Sequence, residues 1–181
     1  IEETGAAQHY RDARILPIYE GTTAIQANDL VFRKTIRDNG AAVNSLLDEI
    51  DSEMTALMSH QNSEIVSAAE NIVEANNTAR NVAAHILGGA NTPRRPATSG
   101  SNYLMLLGTL CGGWLMARSG AAAADALAKG ENGAVGNDDF MTIKLTTMQI
   151  YMTHHLPKIS SLARTITDGD GAALAMQPDW L

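Results

Sequence analysis

Apolar residues recur every three or four positions through most of the chain, which is the spacing of one face of an α-helix. After Gly40 these stripes predict four helices, over about residues 43–58, 65–86, 102–128 and 138–167. A connecting loop is expected over 91–100, and Pro157 is expected to kink the last helix, because proline removes a backbone donor and clashes with the preceding turn. Four amphipathic helices with short links favour an antiparallel four-helix bundle.

The first 38 residues carry a shorter helical pattern. One helix is expected to end at about Ala13, and Thr22 can cap a second helix that ends before the turn dipeptide Asn39-Gly40. The predicted fold is therefore all-α, with two helices over residues 1–38 followed by an antiparallel four-helix bundle over 39–181.

Composition and charge limit the classes of function that the chain can have. Only 4% of the residues are aromatic, and strand-favouring runs are scarce, which supports a helical protein. The formal net charge is −7 and no basic stripe occurs, so nucleic acid is not an expected partner. No apolar stretch reaches the ~20 residues of a membrane span, and nothing resembles a signal peptide. We expect a cytoplasmic protein without a membrane partner.

Most residue types that carry chemistry lack a suitable arrangement. The single cysteine, Cys111, lies in an apolar run without a nearby charge that would lower its pKa. His154 and His155 are adjacent, so on a helix they point about 100° apart and do not readily share one ion. No Cys-x-x-Cys, Glu-x-x-His or phosphate-binding motif occurs. No metal site is therefore predicted.

One segment is suited to acid–base chemistry. Glu20 lies between Tyr19 and Gly21, in a predicted connection between two helices. Apolar neighbours disfavour the charged carboxylate and raise its pKa toward the range of a general base, and glycine allows a substrate to approach the backbone. A helix start at Thr22 leaves backbone N–H groups available to an anion or a carbonyl. From the residues alone, a solvated glutamate in a capping turn is the alternative interpretation.

The segment Ile18-Tyr19-Glu20-Gly21-Thr22, together with Tyr10–Ile15 upstream, resembles the catalytic segment of the acyl-CoA dehydrogenases. The later helices more loosely resemble the extra C-terminal helical domain of the longer bacterial members, through the stretch from Tyr103-Leu104 to Gly113-Trp114 and through Leu156-Pro157. The resemblance implies two units. Residues 1–38 would end the catalytic helical domain, and residues 39–181 would form an accessory four-helix domain.

The resemblance also implies roles for individual residues. Glu20 would be the base that removes the α-proton of an acyl-CoA, while a hydride passes from the β-carbon to FAD and trans-2-enoyl-CoA forms. The backbone N–H of Glu20 would help to stabilise the thioester oxygen. Gly21 would lie against the substrate, and Thr22, Thr23 and Ala24 would contact FAD. The implied electron acceptor is an electron-transfer flavoprotein, and the implied assembly is a homodimer.

The resemblance places most flavin and CoA contacts in domains upstream of these residues. We therefore expect the 181-residue chain alone to be inactive and to bind FAD weakly or not at all. The alternative is that residues 40–181 form a non-catalytic interaction or dimerisation module. For Arg11, Asp12 and Arg14 a structural role in ion pairs is expected.

Overall fold

The structure, a computed structural model, describes residues 5–15, 23–92, 94–133, 139–177 and 180. Every regular secondary-structure element within these ranges is a helix, and no strand occurs in them, so the all-α prediction is confirmed. The elements are α1 (Ala6–Ala13), α2 (Thr23–Asn28), a π-helical segment (Asp29–Ile36), α3 (Ala41–Leu57), α4 (Ser63–Gly88), α5 (Arg94–Ala128), α6 (Phe140–His154) and α7 (Lys158–Ala175).

The central element is α5, a helix of 35 residues that contacts α2, α4, α6 and α7. Met148 of α6 lies against Gly120, and Tyr151 lies against Gly112 and donates a hydrogen bond to the Thr109 carbonyl. Successive residues of α6 thus meet successively earlier residues of α5. The two helices are therefore antiparallel, and α7 continues in the same direction, since its Asp170 bonds to Arg95 near the start of α5.

One continuous hydrophobic core joins α3, α4, α5, α6 and α7. Its largest fully buried side chains come from all five helices and are Leu47, Ile50, Met54, Ile65, Ile72, Ile86, Tyr103, Leu106, Leu110, Met148, Ile159 and Ile166. The apolar stripes predicted for α3 and α4 face this core, whereas Ile143, which the helical spacing of the last predicted helix places inward, is 49% exposed. The bundle therefore buries its own apolar surface.

The start of α5 differs from the prediction. Residues 94–100 are helical, whereas a loop was expected over 91–100. Pro96 lies in the first turn, where backbone N–H groups have no acceptor within the helix, so proline is tolerated there. Pro96 is therefore compatible with a helix that begins at Arg94.

The predicted fourth helix is divided in two. A turn over 155–157 separates α6 from α7, and Pro157 precedes the first residue of α7, which extends to Ala175. A single helix with a kink over 138–167 is therefore wrong in detail. Leu156 within the turn is buried against Gly113, so the break itself contributes to the core. Together α6 and α7 take the place of the fourth helix, an arrangement compatible with the predicted bundle.

The turn predicted at Asn39-Gly40 is present. Both residues have left-handed backbone conformations, with φ of 54° and 81°. The Asp38 carboxylate accepts hydrogen bonds from the backbone N–H groups of Gly40 and Ala42, at 3.0 and 2.9 Å. The turn therefore stops the preceding helix and caps the start of α3.

Candidate functional site

Of the predicted site residues, Thr23 and Ala24 lie within the described part of the chain. Glu20, Gly21 and Thr22 are outside the described residues, as is any cap that Thr22 makes. Thr23 and Ala24 open α2, and both are exposed, as are Ile25 and Gln26 after them. The first turn of this helix therefore presents four consecutive side chains that the rest of the described chain does not cover.

The opposite face of α2 packs closely on α5. Ala27 is only 1% exposed and lies against Gly100. A Cβ added at Gly100 would lie 3.2 Å from the Ala27 Cβ and 3.5 Å from its carbonyl carbon. The first separation is shorter than ordinary carbon–carbon contacts of about 3.5–4.0 Å, and the second is at the lower end of that range. Glycine at this position is what lets α2 approach α5 so closely.

The π-helical segment continues the same packing. Its Val31 and Thr35 are fully buried, and the Thr35 Oγ1 lies 3.4 Å from the Tyr103 hydroxyl of α5, with either oxygen able to donate. Burial raises the pKa of Tyr103, so its hydroxyl stays protonated and able to donate at neutral pH. π-Helical turns are frequently found at functional sites. Here the segment links α2 to the bundle through its buried face.

α1 lies apart from this packing. None of its residues is buried, and Tyr10 is 71% exposed. Arg11 and Asp12 each bond to Gln8, at 3.1 and 2.7 Å, within the helix itself. The partner of both residues is the neutral Gln8 amide, so these bonds are not the ion pairs that were expected. Together with Ile25, the exposed Tyr10 and Ile15 leave apolar surface on both helices of the N-terminal region.

The other polar clusters join helices to one another. Asn76 donates to the Leu47 carbonyl and to Asp51, and Arg80 pairs with Asp51 on the same side of α3. In the last turn of α4, His85 lies 3.5 Å from Asp170, which also pairs with Arg95. Within the described ranges, no three His, Cys, Asp or Glu residues are grouped so that they could hold a metal ion.

Cys111, His154 and His155 lie in surroundings that do not favour reactivity or metal binding. Burial raises the pKa of the Cys111 thiol, so the reactive thiolate is disfavoured at neutral pH. His154 and His155 are exposed, and the ring of His155 stacks on Tyr151 at 5.1 Å between centroids. No helix in the described part of the chain is long and apolar enough to cross a bilayer.

Reasoning from the sequence missed the residues of α5 that hold α2. Gly100 falls in the loop predicted over 91–100, and Tyr103 carries only a loose family likeness in the sequence. The close contact of Gly100 with Ala27 joins residues more than seventy positions apart, and no local pattern predicts such a pairing. The signal that was available is the helical spacing of Gly100, Tyr103 and Leu107, which places them on one side of a helix.

Comparison with known proteins agrees with the resemblance seen in the sequence. The family described as "Acetyl-CoA dehydrogenase C-terminal like" matches residues 46–177. The 3-methylmercaptopropionyl-CoA dehydrogenase of Ruegeria pomeroyi is 42% identical over 181 aligned residues, which cover 97% of this chain and 29% of the relative. The broad-specificity linear acyl-CoA dehydrogenase FadE5 of Mycobacterium tuberculosis is 32% identical over 174 residues, 92% of this chain and 28% of that protein.

The chain therefore spans less than a third of the length of these curated relatives. Both matches extend well beyond the family domain at 46–177, so they include part of the N-terminal region as well. The match to the family domain and the two named relatives lead to the same assignment. The chain belongs to the acyl-CoA dehydrogenase family and corresponds to a C-terminal part of its longer members.

Proposed function

We propose that this chain supplies the catalytic base and an accessory helical domain of an FAD-dependent enzyme that oxidises acyl-CoA to trans-2-enoyl-CoA. The observation that carries the proposal is the segment Ile18-Tyr19-Glu20-Gly21-Thr22, followed at once by the exposed first turn of α2. The names of the two relatives, one for a sulfur-containing acyl-CoA and one for linear acyl-CoA, support this reaction class.

In this proposal Glu20 moves a proton. The hydrogen on the carbon next to a thioester is a weak acid, so its removal needs a carboxylate held close to it. The Glu20 carboxylate takes this proton, the electron pair of the broken C–H bond forms the Cα=Cβ double bond, and hydride leaves the β-carbon. FAD, when bound, accepts that hydride. A hydrogen bond from the backbone N–H of Glu20 to the thioester oxygen would contribute roughly 3–4 kcal/mol to stabilising the developing negative charge on that oxygen.

The described residues at the start of α2 fit contact with a flavin. Thr23 is exposed and offers a hydroxyl, while Ala24 is exposed and offers only its backbone and methyl group. Thr22 precedes them and is proposed to contact FAD as well. These proposed contacts are few, and the family resemblance places most flavin contacts in domains upstream of this segment. We therefore propose that the chain by itself neither retains FAD nor turns over an acyl-CoA.

Replacing Glu20 in the complete protein tests this function. Glu20→Gln keeps the size of the side chain and removes the base, so turnover should fall at least a thousandfold while the bound flavin keeps its absorption spectrum. The matched control is Glu70→Gln, the same change at an exposed position of α4, which should leave turnover unaltered. Turnover in Glu20→Gln that stays within tenfold of the control would exclude Glu20 as the base.

We also propose that the complete enzyme is a homodimer in the cytoplasm that passes its electrons to an electron-transfer flavoprotein.

A second function, a non-catalytic interaction or dimerisation module, is favoured by one observation. The bundle has a core of its own and still exposes about half of the surface of Ile143 and of Ile150 on one face of α6. Sedimentation of a polypeptide of residues 39–181 tests the second role, since a dimerisation module must form dimers without the catalytic region and a monomer would exclude it.

A further inference from the structure

The helix that follows Glu20 is held by the accessory domain at two places on α5. Ala27 of α2 lies against Gly100, and Thr35 of the π-helical segment lies 3.4 Å from the Tyr103 hydroxyl. Gly100 and Tyr103 are separated by three positions on α5 and so share one side of that helix. Both contacts are buried. The position of α2 is therefore determined by α5.

The distance along the chain from these contacts to Glu20 is short. Thr23, the first residue of α2, is three residues after Glu20, so at most about 11 Å of extended chain separates them. Ala27 is one helical turn beyond Thr23. A displacement of α2 at Ala27 is passed to its first turn, because the hydrogen-bonded helix moves as a unit.

We propose that Gly100 and Tyr103 are positioning residues for Glu20, through which the accessory domain sets the geometry of proton abstraction. The inference rests on the proposed function of Glu20 and assigns α5 a role in the reaction. Proton transfer to a positioned base is steeply sensitive to distance, and a misplacement of about 1 Å can cost about a hundredfold in rate. A shift of a few tenths of an ångström should then cost several-fold.

The steric contact is tested by adding one methyl group. In Gly100→Ala the new Cβ would lie 3.2 Å from the Ala27 Cβ, so α2 must move away by a few tenths of an ångström. The matched control is Gly108→Ala on the same helix, where an added Cβ meets nothing within 4 Å. In the complete protein, kcat per bound flavin should fall about fivefold in Gly100→Ala and stay at the wild-type value in Gly108→Ala. KM for the acyl-CoA should change less than twofold in both.

The polar contact is tested by removing either oxygen without changing the shape of the side chain. Tyr103→Phe and Thr35→Val should each lower kcat about threefold, and the double variant should lower it no further, because both singles remove the same contact. The primary isotope effect with an α,α-dideuterated acyl-CoA should rise in each variant, because proton abstraction becomes more rate-limiting. A purely structural loss lowers the fraction of active protein and leaves this isotope effect unchanged.

Two results would overturn the positioning role. One is a kcat per flavin and an isotope effect that are the same in Gly100→Ala as in Gly108→Ala. If Gly100→Ala does not fold, the Tyr103→Phe variant decides by the same criterion, with an unaltered isotope effect counting against the role. Failure of the underlying function is recognised separately, because it would appear as retained turnover in Glu20→Gln, whatever the α5 variants do.

Discussion

The two regions of this chain differ in the origin of their stability. The bundle of α3 to α7 buries apolar side chains from every one of its helices in one core. In the N-terminal region no residue of α1 is buried. α2 buries only Ala27 and the π-helical segment only Val31 and Thr35, and all three lie where these elements pack on the bundle. The bundle is therefore held by its own contacts, whereas α2 is held by the bundle.

This difference bears on function. The exposed surfaces of the N-terminal region include the first turn of α2, where the predicted cofactor contacts Thr23 and Ala24 lie. A helix whose one face is fixed to a stable bundle and whose other face is uncovered can present reactive groups without contributing to the core. The proposed cofactor contacts and the buried core residues of the bundle are thus different residues, so substitutions can test them separately.

The largest expected effect comes from the same substitution made in each region. Ile72→Ala removes a fully buried side chain from the centre of α4 and should destabilise the chain by about 2–5 kcal/mol. Ile25→Ala, at a position that is 64% exposed, should change the free energy of unfolding by less than about 0.5 kcal/mol. Urea unfolding of the two variants measures both values. Equal losses would show that α2 contributes to the core as much as α4 does.

A smaller effect is expected from the buried polar link between α3 and α4. Asn76 is fully buried and donates to the Leu47 carbonyl at 2.8 Å and to Asp51 at 2.7 Å. Asn76→Ala removes the buried amide that donates to both groups and should cost about 1–3 kcal/mol. Asn77→Ala, one position along and exposed, is the control and should be nearly neutral. A neutral Asn76→Ala would mean that the amide adds nothing to helix pairing.

The smallest effect should depend on pH. The hydrogen bond from Arg95 holds the pKa of Asp170 below its ordinary value of 3.8, and the nearby His85 acts in the same direction. A lowered pKa in the folded state means that the unfolded chain binds the proton first, so the stabilisation is complete above pH 3.8 and is lost as the pH falls through the folded-state pKa. Asp170→Asn should therefore lower the melting temperature at pH 7, and its difference from the wild type should shrink toward pH 3.

The control for this prediction is Asp168→Asn. Asp168 lies on the same helix with 67% of its side chain exposed, whereas the Asp170 side chain is 13% exposed. An exposed pair contributes little, so this variant should follow the wild type at every pH. A difference between Asp170→Asn and the wild type that stays constant down to pH 3 would contradict the ion pair as its cause.

Patterns of neighbouring residues correctly predicted two helices and one turn of the fold. The stripes of α3 and α4 have continuous helical spacing, and the Asn39-Gly40 turn uses residues that tolerate a left-handed backbone. The effect of proline was harder to predict. Pro96 lies in the first turn of α5, whereas Pro157 lies in the turn that separates α6 from α7. Which effect a proline has depends on whether the preceding residues are already helical, and periodicity alone does not settle that.

The candidate site followed from the sequence in a different way. Its predicted members are consecutive, from Glu20 to Ala24, so a short segment was enough to identify them by resemblance. The α5 residues that contact α2 and the π-helical segment, Gly100 and Tyr103, are distant in the chain and look like an ordinary glycine and an ordinary core aromatic. The π-helical segment had no signal in the sequence either, since its residues are compatible with an α-helix. Packing between helices is what reveals both features.

The central claim is that Glu20 removes the α-proton, and rapid mixing of the complete protein with an acyl-CoA in the absence of an electron acceptor tests it most directly. Loss of the flavin absorption near 450 nm reports a single turnover, independent of the acceptor and of product release. The account predicts rapid bleaching in the wild type and in Glu70→Gln, and bleaching at least a thousandfold slower in Glu20→Gln with its flavin still bound. Bleaching of Glu20→Gln at the rate of Glu70→Gln would contradict it.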